Sequence, residues 1–206
     1  MAITTYSDLQ TTVANYLARS DLTVQIPDFI RLAEIRLRRD LRIRQMMNAA
    51  TTTTTGGDAT VALPSDFLEV RDLVVQTNPV RPVNYISPSV FSRNARVTES
   101  GVPLDYTILA TEFKFAPVPD TAYTLEIVYY AAPPYLTSTN SSNVFLANCP
   151  DLLLYASLVE AEPYLMNDSR IQVWAGMYDR GVASLNTSDE AAQYSGVPLT
   201  MTLTSR

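Results

Sequence analysis

The sequence predicts an α+β fold: a four-helix body, with two helices from each end of the chain, interrupted by a small antiparallel β module and followed by an extended C-terminal arm. Three observations predict it. Apolar residues recur at helical spacing near both ends, the spacing shortens to two between them, and the last residues alternate after a Gly-Val-Pro break. The helical body takes residues 1–50 and 145–190, the β module and its loop 51–144, and the arm 191–206.

In TYSDLQTTVANYLARS, Leu9, Val13, Tyr16 and Leu17 share one helical face, with Thr5 or Ser7 as the cap, and Ser20-Asp21 breaks the run. A second helix starts near Pro27, whose missing N–H has no partner in a first turn, and runs to about Met47. The runs EVRDLVVQ, PLDYTILA, TEFKFAPV and YTLEIVYYA then read as part of a module of four to six short strands, with PVPD joining the last two as a hairpin. TTTTT is a strand or linker, and TSTNSSN a polar loop. In NCPDLLLYASLVEAEPYL, Pro150 sits in the first turn, Asp151 complements the helix dipole, and Pro163 bends or ends the helix. The last helix carries a stripe of Ile171, Trp174, Tyr178, Val182 and Leu185. Gly176 and Gly181 within it each cost about 1 kcal/mol relative to Ala, which close approach of another helix would justify.

At 206 residues and 47% hydrophobic, the chain can bury one good core, or a core with a smaller module. Charged residues are 17%, below the roughly 25% of average soluble proteins. Of 15 basic residues Lys114 is the only lysine, and there are 12 tyrosines. Protein interfaces favour Arg and Tyr over Lys. A GC-rich coding genome would explain the arginines, but neither the tyrosines nor the low charge. The net charge of -6 argues against a nucleic-acid binder working through a broad basic field. MAITTYSDLQ lacks a signal-peptide pattern, DLLLYASLVEAEPYL is too short and interrupted to span a bilayer, and Cys149 alone forms no intrachain disulfide.

The chemistry-bearing residues point away from catalysis. Without histidine, Ser-His-Asp and Cys-His mechanisms and His-ligated metals are excluded. Cys149 precedes a helix but has no base partner, so a small buried thiol is expected. Glu160 and Glu162 diverge on a helix, Asp66 and Glu69 read as surface residues, and none of the six glycines forms a phosphate loop. The expectation is no enzyme, no cofactor and no metal.

EIRLRRDLRIRQ, residues 34–45, concentrates positive charge in an acidic chain. At about 100° per residue, Ile26, Ile30, Ala33, Leu37 and Leu41 form one narrow stripe, while Leu32, Ile35, Ile43 and Met46 fall opposite. Arg31, Arg38 and Arg42 line the flank between, and Arg36 and Arg39 sit among the second group. A monomer's surface helix needs one apolar stripe. Three readings stay open: a subunit interface in which these five arginines meet a neighbour's carboxylates, a solvated face with intrahelical pairs such as Glu34–Arg38, or contact with nucleic acid.

TYSDLQTTVANYLARSDLTVQIPDFIRLAEIRLRRDLRIRQM resembles the opening of the head-to-tail adaptor proteins of short-tailed bacteriophages, and FAPVPDTAYTLEIVYYAAPPYLTSTNSSNVFLANCPDLLLYASLVEAEPYLMND their second half. Residues 51–105 resemble them least. The resemblance implies a virion structural protein, assembled in the host cytoplasm, that forms a ring, normally a dodecamer, beneath the portal. The ring would extend the DNA channel, pass phage DNA without sequence-specific binding, and give a tail or nozzle protein its docking surface. It also implies a portal-docking arm of Val197, Pro198, Leu199, Met201 and Leu203, a helical body forming the ring, a β module facing the tail, and no membrane partner. The competing expectations are a nucleic-acid-binding regulator using the arginine helix, or another neck or tail-completion protein.

Overall fold

The computed structural model describes residues 3–165 and 169–193. The portal-docking arm expected at Val197–Leu203 lies outside the described residues. The chain is α+β and divides into two units: one takes Met1–Gln45 with Pro133–Arg206, the other Met46–Ala132.

In chain order the helices are α1 (Tyr6–Leu17), α2 (Ile26–Asp40), α3 (Pro88–Phe91), α4 (Val144–Asn148), α5 (Pro150–Glu160), α6 (Glu162–Leu165) and α7 (Ile171–Gln193). All but α3 belong to the first unit. Thr5 caps α1 in a capping box with Asp8, and Leu9, Val13 and Leu17 face inward. Tyr16, expected on that face, is exposed. Buried on nearly every side, α5 is the centre of the unit: α1, α2 and α7 all pack on it, and its leucines at 152, 153, 154 and 158 are covered. Ser157 survives there because its hydroxyl donates to Leu153 O at 2.7 Å. As expected, α5 stops before Pro163.

The expectation that α2 reaches Met47 is corrected: the helix ends at Asp40. A helix would point Leu41 and Ile43 some 200° apart. An extended step buries both completely. Arg42 Nη1 donates to the carbonyls of Arg38 and Leu41 at 2.8 Å, covering the helix end. Asp189 Oδ1 accepts the Arg44 N–H at 2.9 Å.

The second unit is built from β1 (Met47–Thr53), β2 (Thr60–Ala62), β3 (Phe67–Val75), β4 (Arg81–Pro82), β5 (Asn84–Tyr85), β6 (Asp105–Leu109), β7 (Glu112–Ala116) and β8 (Thr124–Ala131). They form two four-stranded sheets, β1-β8-β3-β4 and β2-β7-β6-β5. Alternate residues from both sheets meet in one core, including Leu73, Val75, Phe113, Phe115, Leu125 and Ile127. Three expectations are corrected. The strands exceed six; the module is not purely antiparallel, because β5 runs parallel to β6; and PVPD does not close a hairpin, since β7 and β8 lie in different sheets. Pro117 and Pro119 offer no N–H to a ladder, so the chain leaves one sheet there and enters the other. The tight hairpin joins β6 to β7 through Ala110, at φ 54°.

Candidate interaction surface on the arginine helix

Four of the five predicted arginines are committed within their own unit. Arg31 and Arg38 place their guanidinium carbons 2.9 and 3.3 Å from the centroid of the Tyr135 ring. Two cations cannot share one ring face at those distances, so the ring is sandwiched. Arg38 also donates to the Pro133 carbonyl. Arg36 pairs with Glu160 Oε1 at 3.0 Å and lies 5.7 Å over the Tyr178 ring, tying α2 to α5 and α7. Arg42 covers the carbonyl end of α2. Arg39 is exposed, on the same side as Leu32, which is 46% exposed, and half-buried Ile35. Ile43 and Met46, expected on that second apolar face, are buried beyond the helix end instead. The second apolar face left on α2 is therefore short: Leu32 and Ile35, with Arg39 beside them.

Beneath the arginines lies a carboxylate. Glu34 is 1% exposed, and its Oε1 accepts from the Leu136 N–H at 2.9 Å and from Asn143 Nδ2 at 2.7 Å. Asn143 uses the same amide group on Pro134 O and its Oδ1 on the Leu146 N–H, which caps α4. Burial pushes the Glu34 carboxyl above its ordinary pKa, opposed by these two donors and by the nearby charges of Arg38 and Arg31. Among the described residues, Glu34 Oε2 and Arg38 Nε have no hydrogen-bond partner. One helix face thus straps down residues 133–143: Glu34 grips the backbone, and two guanidiniums clamp Tyr135.

The family model described as SU10 adaptor protein matches residues 4–202. The chain belongs to that family. It is on that ground a phage adaptor protein and a virion component. No curated protein matches the sequence.

Membership of the SU10 adaptor family suggests a structural protein. The Cys149 thiol is buried and pushed up to about 12, first by burial and then by Asp151, so it is un-ionised at neutral pH. Among the described residues no three His, Cys, Asp or Glu side chains stand together as a metal site. No helix there is long and apolar enough to cross a membrane.

Sequence reasoning offered Glu34 only as an intrahelical partner of Arg38; it missed the buried bonds of Glu34 to Leu136 and Asn143, and it missed Tyr135, Glu160 and Tyr178 as partners of this adaptor's arginines. A signal existed for Glu34, which stands four residues after Ile30 and three before Leu37, inside the buried stripe. Tyr178 was legible as core, but not its 2.7 Å hydrogen bond to Asp40 Oδ2, which together with burial pushes the phenol upward.

Proposed function

We propose that the chain is a head-to-tail adaptor of a short-tailed phage, assembled in the host cytoplasm into a ring of twelve copies beneath the portal. The observation that carries this reading is the reach of the family match, residues 4–202, which takes in both units and all but Leu203 of the proposed arm. A four-helix body of α1, α2, α5 and α7 builds the ring, the β unit faces a tail or nozzle protein, and the arm binds the portal.

Such a ring cannot close through a self-complementary patch; one face must meet a different face on the next copy and repeat. The region of Arg31, Arg36, Arg38, Arg39 and Arg42 supplies one of these faces. Leu32 and Arg39 are its exposed contacts, while the other arginines hold the helix and its loop in shape. A net charge of -6 suits a channel that passes DNA without gripping it, since like charge repels phosphates. A nucleic-acid-binding regulator needs the arginines free for phosphates, and the ring and carboxylate contacts of Arg31, Arg36 and Arg38 weigh against it. Another neck position shares the family match and differs only in what it docks to.

Mass measurement of the purified protein, alone and with the portal from the same genome, tests the reading. The expected result is a monomer or small oligomer that joins the portal at about one copy per portal subunit. Exchanging both Leu199 and Leu203 for Asp should abolish attachment without unfolding the chain. Attachment kept by that variant removes the arm as anchor, and no association at any salt concentration removes the portal as partner.

A further inference from the structure

At the rim of the first sheet, β1 pairs with β8 on one side only. The register runs unbroken from Met47 opposite Tyr130 to Thr53 opposite Thr124. In an antiparallel pair every second residue bonds across the ladder, and the residues between turn their N–H and C=O groups outward. The Thr54 N–H donates to Tyr123 O at 2.9 Å, so Asn48, Ala50 and Thr52 are the bonded residues of that series, and Met47, Ala49, Thr51 and Thr53 face out. The Ala49 N–H agrees: it donates to Asn48 Oδ1 at 2.9 Å and not to β8. Among the described residues, the N–H groups of Thr51 and Thr53 and the four outward carbonyls have no hydrogen-bond partner. Exposed edges are normally blunted by a proline, a charge or a bulge. MNAATTT has none of the three.

One stretch of the chain matches this edge in length, pattern and reach. Residues 197–203, outside the described residues, are seven long like β1 and alternate Val197, Leu199, Met201 and Leu203 with Pro198, Thr200 and Thr202. On β1, Ala50 packs against the core of the unit and Thr52 is half-buried on the same face, while Ala49, Thr51 and Thr53 on the other face are exposed. A strand laid beside β1 would set its apolar residues next to small side chains on the core face, and its threonines next to Thr51 and Thr53, a favoured cross-strand pair. The tether is short. Asp189, four residues before the end of α7 at Gln193, accepts the Arg44 N–H at 2.9 Å, and Arg44 is three residues before Met47. That path, one helical turn and one 3₁₀ turn, spans at most about 20 Å. Residues 194–206 reach about 43 Å when extended.

We infer that the open edge of β1 takes the chain's own residues 197–203 as an added strand in the free subunit, and that the portal draws them away. The pairing answers two liabilities at once: a bare main-chain row on β1, and four large apolar side chains that otherwise stand in water until a portal is met. A segment joined to the fold by so short a tether is present at about millimolar effective concentration, ahead of a free partner. Because the tether starts at the Met47 end, the added strand runs parallel to β1. Its later departure for the portal rests on the reading above; its docking on β1 does not.

Amide hydrogen–deuterium exchange on the full chain, free and bound to the portal, tests the site at Thr51 and Thr53, whose N–H groups β8 does not use. In the free chain both should exchange about tenfold slower, or more, than in the variant carrying Leu199→Asp and Leu203→Asp, and both should speed up on the portal. Thr51→Pro removes one outward N–H and none of the β8 ladder. It should keep the wild-type exchange of the Asn48, Ala50 and Thr52 amides and still bind the portal, while Thr53 exchanges fast. Equal exchange in wild type and the Leu199→Asp, Leu203→Asp variant overturns docking. Slowing that grows with protein concentration, alongside a dimer mass, makes the occupant another copy's segment and overturns docking within one chain. Amides still slow on the portal overturn the release. A chain that never joins the portal, by mass, strikes the adaptor reading and the release with it, while the free-chain comparison still decides the docking.

Discussion

Glu34 Oε1 accepts a 2.7 Å hydrogen bond from Asn143 Nδ2, joining positions 109 residues apart in the helical unit. Glu34→Ala would leave the Leu136 N–H without its acceptor and the Asn143 amide with only the Pro134 carbonyl. Expected destabilisation is about 2–4 kcal/mol by chemical denaturation, since buried donors to a charged acceptor lose their partner. Asn143→Ala should cost less, and the double variant less than the sum of the two, because the pair shares one bond.

The same carboxyl makes stability depend on pH. Its pKa is raised by burial, so the folded chain holds the proton more tightly than the unfolded chain does. Stability attributable to Glu34 is therefore greatest in acid and declines as pH rises through the window that opens near the ordinary glutamate value, about 4.3. Denaturation of wild type and Glu34→Gln between about pH 4 and pH 7 should show Gln gaining relative to Glu as pH rises. A constant difference across that range would contradict the assignment.

The two glycines of α7 should behave oppositely. A Cβ on Gly176 meets nothing within 4 Å, so Gly176→Ala should stabilise the helix by up to about 1 kcal/mol. A Cβ on Gly181 would overlap Leu152 Cδ2 and stand 3.3 Å from its Cγ, so the buried Leu152 side chain must shift. Overpacking of this kind costs about 1–3 kcal/mol, so Gly181→Ala should lower the melting temperature.

Tyr135→Leu would remove the ring between Arg31 and Arg38 and leave two guanidiniums facing each other. Loss of two cation–π contacts predicts about 1–3 kcal/mol of destabilisation. Added salt should recover part of it by screening the exposed repulsion. Insensitivity to salt would mean that the guanidiniums had found other partners.

The sequence revealed elements where spacing and punctuation agree: the Thr5 cap of α1, the Pro150 start and Pro163 limit of α5, and the stripe that places Trp174 and Tyr178 inside. It failed where tertiary burial overrode local pattern. Nothing within residues 26–47 announces that Leu41 and Ile43 gain more from an extended step than from another helical turn. The β6–β7 hairpin carries no Asn-Gly or Asp-Gly, because Ala110 takes the left-handed conformation itself. PVPD looked like that turn, and its prolines mark a change of sheet instead. The arginine helix was visible as charge, but its partners come from residues 133, 135 and 160, and sequence spacing cannot bring those together.

The chain enters the β unit at Met46 and leaves it at Ala132, and the first and last strands are antiparallel neighbours from Met47 against Tyr130. Entry and exit therefore stand side by side, about 5 Å apart at that pair. To the helices, eight strands occupy the place of a single loop. Because closing a longer loop adds little entropy, this cassette can be lengthened, shortened or replaced whole without asking α2 and α5 to repack. A phage could thus change what its neck presents by recombination at two adjoining seams, leaving the helical unit as it was.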